Sequence, residues 1–377
     1  MKTTAKTICN RDCPDACSIV ATVEDGRITH LAGDPDHPVT QGFLCYRTSH
    51  FLETQYSSQR LTKPLLRSSA SGKLLPVSWE EALSYTADKL LQIRKESGPA
   101  SIFYYRSGGT LGMMGAVVDR FWEHFGPVTV KRGDICSGAG DAAQIEDFGI
   151  EESSDFFDLQ NAKSILLWGK NPFISSPHLL PLLKDCRRAG AQLALIDPVA
   201  HKSASLCQDF VQVRPGGDFA LAMAVGQILF AQNWIDPQAD SYCDKIREFR
   251  ALAHSRSLED WLAEADVSRE SAQLLAKRLG QDKPATILIG WGMGRRRNGA
   301  AVVRALDALA ALTGNLGIPG GGASFYFKRR GAFDSSFVEG RAPRTVCEPL
   351  FGREVQNMSD PPIRAVWVTA GNPVTML

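Results

Sequence analysis

The chain has 377 residues, 44% of them hydrophobic, a length that allows two or three domains with substantial cores. Lys plus Arg number 42 against 41 for Asp plus Glu. The net charge of +1 excludes long-range attraction to nucleic acid or an anionic membrane, so an anionic ligand must be held by local donors.

The N-terminus, MKTTAKTICNRDC, has neither an apolar signal core nor a twin arginine, and no apolar run approaches a membrane span. The expected location is cytoplasmic, where thiols stay reduced, so nine cysteines point to metal or catalysis before disulfides. Residues 8–20, ICNRDCPDACSIV, hold Cys9, Cys13 and Cys17 at equal spacing. Alternating apolar residues around Asp25-Gly26 predict a β-hairpin directly after them. Cys45 follows the loop DPDHPVTQGFL and completes a small β-rich module over residues 1–60. Four thiolates in this pattern suit a 4Fe–4S cluster or tetrahedral zinc. Three clustered ligands with one remote ligand favour the cluster over the paired knuckles of structural zinc and equally over four merely buried thiols.

Beyond the module, strands alternate with helices, which implies an α/β layer with a mostly parallel sheet. Ser78 and Glu81 form a capping box for a helix that ends at Gly98. SIFYY, KSILLWGKNP, QLALIDP, DFVQVRP and PATILIGWGMG read as strands running into turns. LLPLLKDCRRAG, DFALAMAVGQILFAQ and AAVVRALDALAALTG read as helices, and residues 232–283 as a helical section without evident chemistry. SILLWGKNP at 164–172 echoes AVWVTAGNP at 365–373, as two ligand-facing turns of a duplicated nucleotide-binding half would. The expected domains are 1–60, 61–150 with a metal-ligand loop, 151–325, and a return at 326–377 into a second half that is cut short. A strand and its turn at the C-terminus, with no covering element, lead us to expect a truncated chain.

The run CNRDCPDACSIV…EDGRITHLAGDPDHPVTQGFLCYR resembles the N-terminus of the molybdopterin oxidoreductases of the dimethyl sulfoxide reductase superfamily. The resemblance continues through WGKNP, LIDP, VRPGGDFALAMA, GWGM, LTGNLGIPGGG and TAGNP. It implies a 4Fe–4S cluster on Cys9, Cys13, Cys17 and Cys45, beside molybdenum or tungsten held by two pyranopterin guanine dinucleotides. It also implies Rossmann-like α/β nucleotide-binding domains after the module, with a C-terminal barrel-like domain absent here. Arg47 falls where the family has a basic residue between cluster and pterin; from its position alone it reads equally as a solvated surface residue. Cys136, in KRGDICSGAGDAA, reads on position alone as a core cysteine, and the resemblance makes it the metal ligand, with Ser137 as a rival. No His follows Cys136, unlike the pair in formate dehydrogenases.

Cofactor contacts are expected at the carboxyl ends of the strands, where ligands of α/β sheets sit. These are Asn171, with His178 nearby, then Asp197, Gly216 and Asp218. The resemblance adds Gly292, Met293, Gly371 and Asn372. The run GRRRNG at 294–299 reads as a solvated basic turn or a pyrophosphate clamp. Cys186, Cys207, Cys243 and Cys347 read as core filling.

The function implied is a redox enzyme. A small substrate would react at the metal, and electrons would reach an electron-transfer partner protein through the cluster, with no nucleic acid and no membrane span involved. Alternatives are a non-redox hydratase or lyase of the tungsten type, and a non-catalytic iron–sulfur subunit or inactive fragment of the same fold. An NAD-binding reading of GWGMG ranks below these, because G-x-G-x-x-G does not follow the first strand.

Overall fold

The computed structural model describes residues 1–376 except 12, 14, 110–113, 151–152, 326–337, 339–341 and 343. The chain forms two compact units, one of Met1–Gly133 with Arg330–Leu377 and one of Asp134–Arg329.

The first unit opens with strands β1 (Lys2–Ile8), β2 (Ser18–Glu24) and β3 (Arg27–Gly33) in one antiparallel sheet. The β2–β3 turn is Asp25-Gly26, at φ of 49° and 77°, as the residue pair predicts. Short helices α1 (Tyr46–Ser49) and α2 (Phe51–Gln55) follow, then a ribbon of β4 (Leu65–Arg67) and β5 (Leu74–Pro76). Helix α3 (Trp79–Ser97) starts where Ser78 Oγ accepts the Glu81 N–H at 3.1 Å. Of its apolar stripe only Leu90 is buried, while Leu83 is 63% exposed. Strand β6 (Ile102–Arg106), helix α4 (Met114–Phe125) and strand β7 (Thr129–Arg132) begin a parallel sheet. Part of the Gly-rich turn predicted before α4 lies outside the described residues.

The second unit runs α5 (Gly138–Phe148), β8 (Ser164–Trp168), α6 (Pro172–Ser175), α7 (Leu179–Arg188), β9 (Gln192–Ile196) and β10 (Asp209–Val211). It continues with α8 (Asp218–Ala231), α9 (Ile246–Ala253), α10 (Leu258–Ala265), α11 (Arg269–Gly280), β11 (Ala285–Ile289), α12 (Gly299–Leu312) and β12 (Gly322–Ser324). Its sheet is all parallel, in the order β10-β9-β8-β11-β12. Strands β8, β9 and β11 are buried on both faces, which is why they read as unbroken apolar runs rather than alternating ones. Leu166, Trp168, Ile196, Ile287 and Ile289 face α8, which is buried nearly all round. Ile165, Leu167, Leu193 and Leu195 face α7, where Cys186 fills the core. Truncating one such leucine to alanine costs about 2–5 kcal/mol. Asn315, from the LTGNLG motif, is a structural tie: its amide accepts from Ala285 N and donates to Leu279 O.

The chain then returns to the first unit with β13 (Thr345–Cys347), α13 (Phe351–Asn357), β14 (Ala365–Thr369) and α14 (Pro373–Met376). That unit's parallel sheet has the order β13-β7-β6-β14. Among the described residues no helix is long and apolar enough to cross a membrane.

One buried carboxyl pair makes the second unit sensitive to pH. Asp307 on α12 accepts from Gln144 Nε2 at 2.9 Å, and Asp147 on α5 from Arg304 Nε at 2.7 Å. The second oxygen of each carboxyl is buried with no hydrogen-bond partner among the described residues. Burial raises the Asp307 carboxyl to about 8, and burial, with the charge of Glu146, raises that of Asp147. Burial holds on Asp307 a proton that the unfolded chain would release near its ordinary carboxyl range. A raised folded pKa gives stability that is present at low pH and lost as pH rises through the folded value. The urea midpoint should therefore fall as pH rises from about 4, the ordinary carboxyl value, to about 8, and Asp307→Asn should flatten that decline.

Candidate functional site

Cys17 immediately precedes β2, and its carbonyl accepts the Cys9 N–H at 2.9 Å, which brings the two cysteines together. Cys45 is the N-cap of α1, one turn of which brings the buried Thr48 hydroxyl 3.5 Å from Cys45 Sγ and 3.4 Å from Cys9 Sγ. Gly33 permits this approach of β3 to the loop before Cys45: a Cβ there would lie 2.4 Å from Gly42 O. Asp34 fastens the same junction, accepting from Ser18 Oγ at 2.8 Å and from Lys6 Nζ at 3.1 Å.

The thiols are electrostatically linked. Burial, then Cys9, Asp15 and Cys45, push the Cys17 thiol up to about 12. Burial, Asp15 and Cys17 also raise that of Cys13. Burial acts to raise the Cys45 thiol too, but hydrogen bonds from Thr48 and the backbone, with the Arg47 charge, hold it below its ordinary value. Cys13 and Cys17, desolvated in this way, are poor thiolates until a cation joins them, and iron binding would expel their protons. Among the described residues no three His, Cys, Asp or Glu side chains are placed to hold a single metal ion. A four-iron cube binds one thiolate per iron and does not require them to share one. The donor set therefore fits a 4Fe–4S cluster. Arg47 is on α1, exposed, and its carbonyl accepts from Arg11 at 3.4 Å.

Cys136 lies in the second unit, one residue before the Ser137 N-cap of α5. Its N–H donates to Asp134 Oδ1 at 2.6 Å. Ser137 is buried and donates to Asp141 Oδ2 in the first turn of α5 at 2.6 Å. Arg295 reaches Cys136 with Nε 3.2 Å from the carbonyl oxygen and Nη2 3.5 Å from Sγ.

The remaining second-unit residues stand where the parallel strands end. Sheet order reverses between β8 and β11, the switch point at which such sheets hold ligands. There the backbones are nearly in contact: a Cβ on Gly290 would lie 1.7 Å from Gly169 O. Asn171 follows β8 as the N-cap of α6 and accepts from Ser203 Oγ at 3.0 Å. His178 is buried at the start of α7. Asp197 follows β9, accepting from Val199 N at 2.9 Å, with His201 Nε2 3.3 Å from its other oxygen. Gly216 precedes α8, and Asp218, its first residue, is buried and accepts from Trp168 Nε1 at 3.0 Å. Burial raises the Asp218 carboxyl against that bond and the charge of Arg296. Met293 is buried against Gly169, whereas a Cβ on Gly292 would meet nothing within 4 Å. Gly371 and Asn372 stand at the end of β14, in the other unit.

All three arginines of the run are exposed, as its charge suggested, but two of them make contacts. Arg295 bonds Cys136, and Arg296 lies over Gly216, whose added Cβ would be 2.4 Å from its Nη1. Neither contact has a local signal, because both partners are distant in sequence. Thr48 was also unmarked, although its place three residues after Cys45 on one helical turn is a usable sign.

Residues 60–375 match the family model for molybdopterin oxidoreductase, and residues 2–57 that for the molybdopterin oxidoreductase Fe4S4 domain. The chain belongs to the molybdopterin oxidoreductase family. It is 34% identical to the probable oxidoreductase YyaE of Bacillus subtilis, over 98% of this chain and 56% of that protein. It is 28% identical to the dimethyl sulfoxide reductase DmsA of Haemophilus influenzae, over 97% of this chain and 52% of that one. The chain thus spans about half the length of these curated relatives. The fold is shared with acetylene hydratase from Pelobacter acetylenicus, at a TM-score of 0.73 and 21% identity, covering 84% of this chain and 44% of that one. The family and its Fe4S4 domain bring a molybdopterin cofactor and a 4Fe–4S cluster.

Proposed function

We propose that this chain carries the cluster ligands and a nucleotide-binding unit of a cytoplasmic molybdenum or tungsten oxidoreductase that exchanges electrons between a small substrate and a partner protein. The observation that carries the reading is the set of four electrostatically linked thiols, two of them on the Thr48 hydroxyl, in a chain whose remainder matches the molybdopterin oxidoreductases. When bound, the metal and its pterins supply redox chemistry with the substrate, and the cluster supplies single-electron exchange with the partner.

The chain's own residues do the holding and orienting. Cys9, Cys13, Cys17 and Cys45 ligate the cluster, and Arg47 sets a fixed positive charge beside Cys45. Cys136 offers a thiolate to the metal from a loop whose amide and neighbouring hydroxyl are already engaged. The strand-end turns at Asn171, Asp197, Gly216, Asp218, Gly292 and Met293, with His178, hold the guanine dinucleotide of one pterin. Gly371 and Asn372 serve the second from the other unit. Anaerobic purification with assay of iron, molybdenum, tungsten and guanine nucleotide tests this directly.

A further inference from the structure

We propose that Arg295 is a positioning residue for Cys136, fixing the direction of its sulfur and placing a permanent positive charge beside it. This rests on the reading of Cys136 as a metal ligand.

A single guanidinium makes both contacts, donating Nε to the carbonyl oxygen at 3.2 Å and Nη2 to Sγ at 3.5 Å. One exposed guanidinium thus spans the carbonyl and the side chain of one residue, which suits a planar fork of donors. A lysine carries the charge but not the fork. The platform under Arg295 is firm. Trp291 Nε1 donates to Phe325 O at 3.0 Å, and Met293 is buried against Gly169. Gly299 sits so close to Gly294 that a Cβ would lie 2.3 Å from its carbonyl oxygen. On the opposite side Asp134 holds the Cys136 amide. Loop and arginine come from chain segments 159 residues apart, so neither orders the other locally.

A cation fixed beside a metal-bound thiolate favours the more reduced, more negative state of the metal. The test is a potentiometric EPR titration, with metal-edge X-ray absorption, on holoprotein carrying Arg295→Ala, Arg295→Lys or Cys136→Ser. Arg295→Ala should shift the metal couple to more negative potential and split its signal into several species. Arg295→Lys should keep the potential and leave the signal heterogeneous. An Arg295→Ala protein with the parent's potential and a single parent-like signal overturns the proposal. So does failure of both Arg295 variants to take up metal, since lysine keeps the charge. Cys136→Ser separates the two ideas: if it leaves the metal's sulfur shell unchanged, Cys136 is not the ligand, whatever Arg295 does.

Discussion

Replacing Cys17 by serine should abolish the iron–sulfur cluster, dropping iron from about four per chain to below about one and removing the cluster's EPR signal. Cys17 is 4% exposed, and its thiol is already hard to ionise before any metal arrives. A serine hydroxyl there would have to ionise from a far higher starting point, in the same desolvated place, and is a harder ligand for iron. The hairpin should survive, because serine keeps the volume and the Cys9 N–H bonds the backbone carbonyl rather than the side chain. Cys186→Ser is the control. That sulfur donates to Leu159 O at 3.3 Å within the core of the second unit, so its loss should leave iron unchanged. Iron and acid-labile sulfide assays with circular dichroism read both outcomes.

The second large effect concerns stability and separates two glycines two residues apart. Gly290→Ala should cost about 3 kcal/mol in urea unfolding. The new Cβ would meet the Gly169 carbonyl oxygen at 1.7 Å and Lys170 N at 3.0 Å, and both are backbone atoms. No side chain can swing away, so β8 and β11 must part at the switch point. Gly292→Ala should change stability by less than about 0.5 kcal/mol, because nothing stands within 4 Å of its Cβ. If that open space is where the nucleotide lies, Gly292→Ala should instead lower guanine nucleotide retention several-fold while the unfolding curve stays in place.

Much of this was legible because the signals were local. Asp25-Gly26 specified the hairpin, Ser78 with Glu81 the start of α3, and unbroken apolar runs the doubly covered strands. The four-cysteine pattern was legible for the same reason, since ligand spacing is a property of the chain itself. What escaped was tertiary. The stripe of α3 showed a period but not what would cover it, and Leu83 stays exposed. The strand-end position of Asp197 was legible, but not that Val199 and His201 approach its oxygens. The arginine run looked solvated because most charge runs are; that Arg295 meets Cys136 is decided by the order in which distant strands join one sheet. Asn315, within LTGNLG, is a buried tie between a helix end and a strand start that no local pattern announces.

The central claim is that one polypeptide holds both a four-thiolate cluster and a pterin-bound metal. The most direct measurement is the metal and nucleotide content of protein purified anaerobically from cells supplied with molybdate and tungstate. The predicted result is about four irons per chain, together with molybdenum or tungsten and guanine nucleotide in fixed proportion to it. Iron at that level with neither metal nor guanine nucleotide would contradict the claim and leave an iron–sulfur protein of the same fold.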